Sequence, residues 1–476
     1  MAWRAIRNTL IFLFMIMLVI CVSPALVRAK DGSGGGADAA PAVSGSENVD
    51  SILSKAAAEN GISLQTAIQS AMDTNPTFLS RKHAYSSSHE AYLKSFGALL
   101  PQVNVFASGG YQVIQNETTS YLYDDKQGEG WTNDMRVVMS QLLFDGGVTS
   151  SKVEADKFHS QSRKEELFNT AEDVGLTATQ YFMEVIRNRA LIDLCENNIA
   201  EHEKILELTR IRLNSGGGTQ VDVNQAEASL EEAKSRLVQA RQGLEDAEAG
   251  YLKVFGSKAD QLAMPERPKQ AIPPTVEEGV ALAMDNNRAL KAARLAINQK
   301  ENEEKSAKNL HTPKLYAKLA GGHSDNTGGY EHNNHDASAM LQLSFNLYSG
   351  GSLSAKIREA KSELSKSVQD AEEVRRKVEE DVRTAYSFHR STWKLLPILR
   401  DLTDENADIV VSYADQFRMG KRSLLDLVSA QKSLFSSQQV YLNAQAAHTF
   451  SYYRICMPIA TLMNTLGVSV DVPELN

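Results

Sequence analysis

Between Val148 and Leu213 the chain contains no proline and a single glycine, Gly175. A heptad seam runs along it through Leu167, Ala171, Val174, Ala178, Tyr181, Val185, Asn188, Ile192, Cys195, Ile199, His202, Leu206, Thr209 and Leu213. Eleven of these fourteen positions are apolar or tyrosine, the pattern of a coiled coil rather than of a short globular helix. As one helix, residues 148–213 would reach about 99 Å. A second long helix is expected over 352–419, with a kink at Pro397, where the ring removes a hydrogen bond and crowds the preceding turn. The polar seam residues Asn188 and His202 read as register-fixing positions. Shorter helices are predicted over Pro76–Leu99 and Val221–Phe255, stacked end to end beside the long one.

Four segments carry the other period. In Leu341-Gln342-Leu343-Ser344-Phe345-Asn346-Leu347, apolar and polar residues alternate, as they do in Lys314–Leu319 and Gln102–Val105. Strands are therefore predicted at about 101–113, 135–146, 313–322 and 337–348, each long enough to cross a bilayer when tilted. Gln141 is the exception, a polar residue in the lipid-facing register. Polar loops are expected over 115–134 and 323–336. After the N-terminus no stretch offers 18 consecutive apolar residues, so a membrane-embedded form must be a strand barrel. Four strands cannot close a barrel, for which about eight are needed, so the barrel must be shared between chains.

The two periods occur twice. Ser63–Asn75 returns as Thr275–Asn287 at an offset of 212, carrying Pro101 onto Pro313. At an offset of 204, Leu143-Phe144-Asp145-Gly146-Gly147 returns as Leu347-Tyr348-Ser349-Gly350-Gly351, Gly216 as Gly420, and Asp222 as Asp426. Two repeats follow, 61–260 and 261–476. Gly146, Gly147, Gly350 and Gly351 are expected to make the strand-to-helix turns. Gly216, Gly217, Gly218 and Gly420 are expected to make the turns at the far ends of the long helices. The fold class is mixed α and β, mainly α, with a two-fold repeat of long antiparallel helices below a strand barrel.

Residues 1–29 have the form of an export signal: Arg4 and Arg7, an apolar run from Leu10 to Val22, and Val27-Arg28-Ala29 before the expected cleavage. Residues 30–60, rich in Gly, Ala and Ser, read as a flexible leader. Removing three arginines from the 50 basic residues leaves 47 against 59 acidic, a net charge of −12 that disfavours nucleic acid. Cys195 and Cys456 stand at non-equivalent positions and read as buried small hydrophobes. His323, His332 and His335 with Asp325 and Asp336 crowd one loop without a standard ligand spacing, so no metal site is expected. No nucleophile–base set, phosphate loop or cofactor motif is present in a convincing context, so neither an enzyme nor a cofactor is expected.

Over residues 62–470 the chain resembles the TolC family of outer-membrane channel proteins. The resemblance rests on Leu64…Ala67…Ala71…Asn75-Pro76, Leu143–Gly147, the turn Gly420-Lys421-Arg422-Ser423-Leu424-Leu425-Asp426-Leu427, and Tyr453-Arg454…Leu462…Leu466-Gly467. It implies a homotrimer with a 12-stranded barrel in outer-membrane lipid and a helical tunnel across the periplasm. It also implies docking to a periplasmic adaptor (membrane fusion) protein and an inner-membrane pump, either an ABC transporter or a proton-driven one. The tunnel would close at its tip through an iris to which Phe417, Arg422 and Asp426 correspond, with Ser429 where the family has a second acidic residue and Asp222 as the first-repeat equivalent. The function expected is a passive exit duct for type I protein secretion. The alternatives are the outer-membrane component of a multidrug or metal efflux pump and, in another class, a periplasmic coiled-coil adaptor.

Overall fold

The computed structural model describes residues 57–58, 61–122, 124, 127–266, 272–328 and 331–472. The expected signal at 1–29 and nearly all of the expected leader lie outside the described residues. At the leader's end Ala57 is buried and the Ala58 N–H donates to the Leu262 carbonyl (2.9 Å), so this part is packed rather than loose.

Helices α1 (Leu64–Thr74) and α2 (Pro76–Gly97) lead into strand β1 (Gln102–Ile114), a short helix α3 (Glu117–Leu122) and strand β2 (Gly128–Phe144). The long helix α4 (Val148–Asn214) and its return α5 (Gln220–Phe255) complete the first repeat. The second runs α6 (Val276–Asn286), α7 (Arg288–Lys308), β3 (Lys314–Asp325), β4 (Asn333–Ser344), α8 (Ser352–Arg418) and α9 (Leu424–Cys456), and ends in α10 (Leu462–Leu466). Both long helices have 67 residues, about 100 Å each, and α8 continues as one helix through Pro397.

Strand boundaries depart from the alternation. β2 begins at Gly128 rather than near 135, because pairing with Val113 and Ile114 carries its Gly- and Trp-containing start into the sheet. β4 occupies 333–344 rather than 337–348, so His335 and Asp336 are strand residues and Phe345–Tyr348 are not. The loop expected at 115–134 holds α3.

The same device punctuates both repeats. Asn75 follows α1, accepts from the Thr77 (3.0 Å) and Phe78 N–H groups and so caps α2, which has Pro76 at its first position. Its side-chain N–H donates to the Val254 carbonyl in the last turn of α5 (3.0 Å). Asn287 caps α7 through Leu290 and donates to the Pro458 carbonyl just beyond α9 (2.9 Å). Each short upper helix is thus pinned to the end of the lower one, giving the end-to-end stack beside a long helix.

The seam positions Leu167, Ala171, Val174, Ala178, Val185, Cys195 and Leu206 are all buried. What covers them crosses the repeats: α4 packs against α2 and α5 of its own repeat and against α7 and α9 of the other. α8 packs against α6, α7 and α9. Val368, Trp393, Ile398 and Leu402 on α8 are exposed, as are Leu93 and Phe96 on α2 and Val238 and Leu252 on α5. No described helix is long and apolar enough to cross a membrane.

The four strands form one antiparallel sheet in the order β1-β2-β3-β4. Register places Val103, Met139, Leu319 and Ala339 in one row, with Val105, Val137, Gly321 and Ala337 in the next row of that face. The opposite face carries the rows Asn104, Val138, Ala320, Ser338 and Phe106, Arg136, Gly322, Asp336. In these rows one face is therefore apolar, while the other carries the polar side chains Asn104, Arg136, Ser338 and Asp336, the asymmetry a strand barrel in lipid requires.

Candidate functional site

Two features can do functional work: the paired turns at the far ends of the long helices, and the sheet with its unpaired edges. At the first turn α4 ends with the Gly217 N–H donating to the Arg212 carbonyl (2.9 Å) and Gly216 to Leu213 (3.0 Å). At the second, Lys421 donates to Gln416 (2.9 Å) and Gly420 to Phe417 (3.0 Å). Both are six-to-one C-caps whose left-handed residue is a glycine, Gly216 at φ 77° and Gly420 at φ 73°. Gly217 and Gly218 have no such requirement; Gly218 packs against the Leu213 backbone.

The following helices open on related caps, and the first closes the full capping box. The Thr219 hydroxyl accepts from the Asp222 N–H (3.2 Å), and the Asp222 carboxylate accepts from the Thr219 N–H (2.9 Å). In the second repeat Ser423 accepts from the Asp426 N–H (3.2 Å) and donates to the Asp426 carboxylate (2.8 Å). Both aspartates are helix-capping groups first.

Beside Asp426 the structure brings in Arg422, its Nη1 3.9 Å from Oδ2, with the guanidinium 3.9 Å above the Tyr413 ring. Phe417 is 2% exposed, a core side chain among Ile205, Val223, Leu424 and Leu427. Ser429 is exposed one turn along α9. Two contributors escape the sequence reading, Tyr413 and Arg212. Arg212 stands in the last turn of α4, donates to the Phe417 carbonyl (3.2 Å) and lies 4.6 Å from the Phe417 ring centroid. A basic residue in a final helical turn is a known capping signal, but here it caps the other long helix.

Above the tip, the seam residue His202 is 1% exposed and neither ring nitrogen has a hydrogen-bond partner. Burial, helped by Arg236 and Lys432, pushes its pKa down to about 4. Asn188, by contrast, accepts from Arg187 (3.2 Å). Burial pushes the Cys195 thiol up to about 11, so it is an inert buried group, and Cys456 is buried too.

On the polar face of the sheet, Arg136 pairs with Asp336 at 3.1 Å across the intervening strand. Gly322 makes this possible: a Cβ there would stand 2.9 Å from the Asp336 carboxylate. Gln141 does lie in the apolar register, opposite Ala317, and its N–H group donates to the Leu99 carbonyl (2.7 Å). At the outer end His323 and His335 face each other across β3 and β4 with rings stacked at 4.5 Å, whereas His332 stays in the connecting loop. Among the described residues no group of three His, Cys, Asp or Glu is arranged to hold a metal ion.

The turn into α4 is tightly built. Asp145 is buried and its carboxylate accepts from the Gly147 (3.0 Å) and Thr149 (2.7 Å) N–H groups. Gly146, at φ 68°, lies against Thr312, whose hydroxyl a Cβ would meet at 2.0 Å. Gly350 and Gly351 repeat the positive φ with open space around them.

Comparison with known proteins places this geometry. The family model described as "outer membrane efflux protein" matches residues 67–257 and 280–454. The outer membrane efflux protein BepC of Brucella suis biovar 1 is 26% identical over 349 residues, 73% of this chain and 74% of that one. The alkaline protease secretion protein AprF of Pseudomonas aeruginosa is 21% identical over 403 residues, 81% and 82% of the two chains. Among solved structures, the outer membrane protein VceC from Vibrio cholerae superposes with a TM-score of 0.71 at 15% identity, covering 86% of this chain and 97% of that one.

Proposed function

The chain belongs to the outer membrane efflux protein family, and on that premise we propose that three copies form the passive outer-membrane exit duct of a tripartite export system. A periplasmic adaptor would grip the helical tunnel, and an inner-membrane pump would supply the energy. The observation that carries this is the pair of free sheet edges. Among the described residues β1 pairs only with β2 and β4 only with β3, yet one face of the sheet is apolar. An open strand edge is not tolerated in lipid, so β4 of one copy must pair with β1 of the next, and three sheets make twelve strands. The exposed apolar flanks of α8 and of α2 with α5 match that arrangement, each covered by the neighbouring copy.

Type I protein secretion is the cargo class we favour. Its support is the turn Gly420–Leu427 together with the similarity to a protein whose name is alkaline protease secretion protein. Efflux of small molecules is the second reading, supported by the similarity to BepC, named an outer membrane efflux protein. A strain lacking this chain separates them. Loss of one or two large secreted proteins with unchanged drug and metal tolerance supports secretion; an unchanged set of secreted proteins with new sensitivity moves the chain to efflux.

At the tip we propose that Arg422 and Asp426, steadied by Tyr413, latch the closed state, with Phe417 and Arg212 joining the two turns of one copy. Asp222 and Ser429 would line the same opening. Arg422→Ala and Asp426→Ala should each raise single-channel conductance in planar bilayers. Unchanged conductance and ion preference in both variants would remove the latch assignment.

A further inference from the structure

A groove of about 470 Å³ lies between α4 and the C-terminal half of α9, with Phe388 of α8 at one side. Its walls are apolar, from Leu176 and Met183 on α4, Phe388, and Phe450 on α9. Two arginines, Arg187 and Arg454, share that lining. Neither makes an ion pair with a carboxylate among the described residues. Arg187 donates through Nη2 to Asn188 (3.2 Å), while its Nε is buried with no partner. Arg454 lies with Cζ 5.0 Å from the Phe388 ring centroid, stacked on it, and Asp381 of α8 feels its charge without forming an ion pair with it. The one carboxylate on the lining, Glu184, accepts from Gln180 (2.9 Å). The lining therefore carries a net positive charge, on guanidinium groups with unused donors, inside an aromatic and aliphatic pocket.

The placement is also informative. Tyr386 of α8 faces the layer formed by α6 and the segment before it, its hydroxyl donating to the Pro273 carbonyl (2.9 Å) and its ring covering Gly279 of α6. Phe388 is two residues on, about 200° around the helix, so the groove opens away from that layer.

We propose that this groove is a binding site for small aromatic monoanions, a ring system bearing one carboxylate or sulfonate. The rings would stack against Phe388 and Phe450, and the anionic group would take the free guanidinium donors, which match its planar or tripodal oxygens. The volume suits a bicyclic ring, and a mostly apolar wall with a few fixed polar groups is the usual make-up of a small-molecule site. A cation of the same shape would meet two guanidinium charges against the single lining carboxylate, Glu184.

The test is equilibrium dialysis of 1-naphthalenesulfonate against the purified full chain in uncharged detergent, with protein-free micelles as blank. Saturable binding at one anion per chain is expected. Arg187→Gln and Arg454→Gln together should weaken it at least about tenfold. Ala447→Phe, which fills the groove and keeps both arginines, should weaken it as much. Size-exclusion profiles matching the parent show that the variants still fold and assemble. 1-Naphthylmethylammonium should not bind saturably. Absence of saturable sulfonate binding up to about 10 mM, equal binding of the ammonium, or unchanged binding in the groove-filled variant would each overturn the site. Because binding is read on purified protein, its failure leaves the exit-duct reading standing, and failure of the secretion test leaves the groove standing.

Discussion

Glu172 shows how a single residue ties the far end of the chain to its centre. It sits buried on α4, and its carboxylate accepts from the Leu462 N–H (3.0 Å), supplying the first turn of α10 with the cap that Thr461 does not. Burial pushes its pKa up to about 7, against the opposing pull of that backbone N–H. A carboxyl raised above its unfolded value of 4.5 favours the fold most when protonated. Its contribution is complete below about pH 4.5 and is lost as pH rises through about 7. Glu172→Gln should flatten the fall in unfolding midpoint between pH 5 and 8; an unchanged slope would assign that fall to other groups. His202 works in the opposite sense. Its pKa is lowered, so its contribution is present above about pH 6.5 and lost as pH falls toward about 4. With no partner for either nitrogen, His202→Leu should cost little at pH 8 and raise resistance to acid at pH 5, read from the same midpoints. Neither behaviour was legible in the sequence: a seam histidine can be read as polar in an apolar row, but not as unpartnered. Asn75 is similar. Its place before Pro76 marks a cap, while its bond to Val254 depends on where α5 ends.

At the scale of elements, period and length were legible and partners were not. The heptad seam located α4, and alternation located four strands, because both patterns follow from which faces are buried. The helices α1, α6 and α10 are too short for a periodic signal of their own. A seam also says which face is apolar without saying what covers it, so the packing of α4 against α7 and of β2 against β3, both between repeats, was not readable. The tip turns combine the two cases. Gly216, Gly420 and the aspartates three residues past Thr219 and Ser423 are legible as caps, whereas Arg212 crossing to the Phe417 carbonyl is not. Removing either first-turn carboxylate, Asp222→Ala or Asp426→Ala, should destabilise its helix start by about 0.3–1 kcal/mol, measurable as faster amide exchange in the first turn of α5 or α9. The latch proposal adds an asymmetry: Asp426→Ala should also raise conductance, because only Asp426 faces an arginine in its own turn.

Among the described residues the molecule is two matched repeats with one four-stranded sheet, whose outer strands β1 and β4 are each paired on one side, and exposed apolar side chains on its helices. That incompleteness was already visible in the sequence, where four strands were too few to close. The sequence could not show that the two strand pairs join through β2 and β3 into one continuous sheet, which leaves two edges per chain rather than four. Family membership places the sheet in the outer membrane and the helices below it. Val105 faces the apolar side as the fourth of the 13 residues of β1, so Val105→Arg should reduce membrane assembly, by about 2–4 kcal/mol if that row lies at the bilayer midplane. The shared barrel is tested most directly by native mass spectrometry of the purified protein released from membrane nanodiscs. A complex of three chains is the predicted mass; a folded, membrane-embedded single chain or pair would contradict the account.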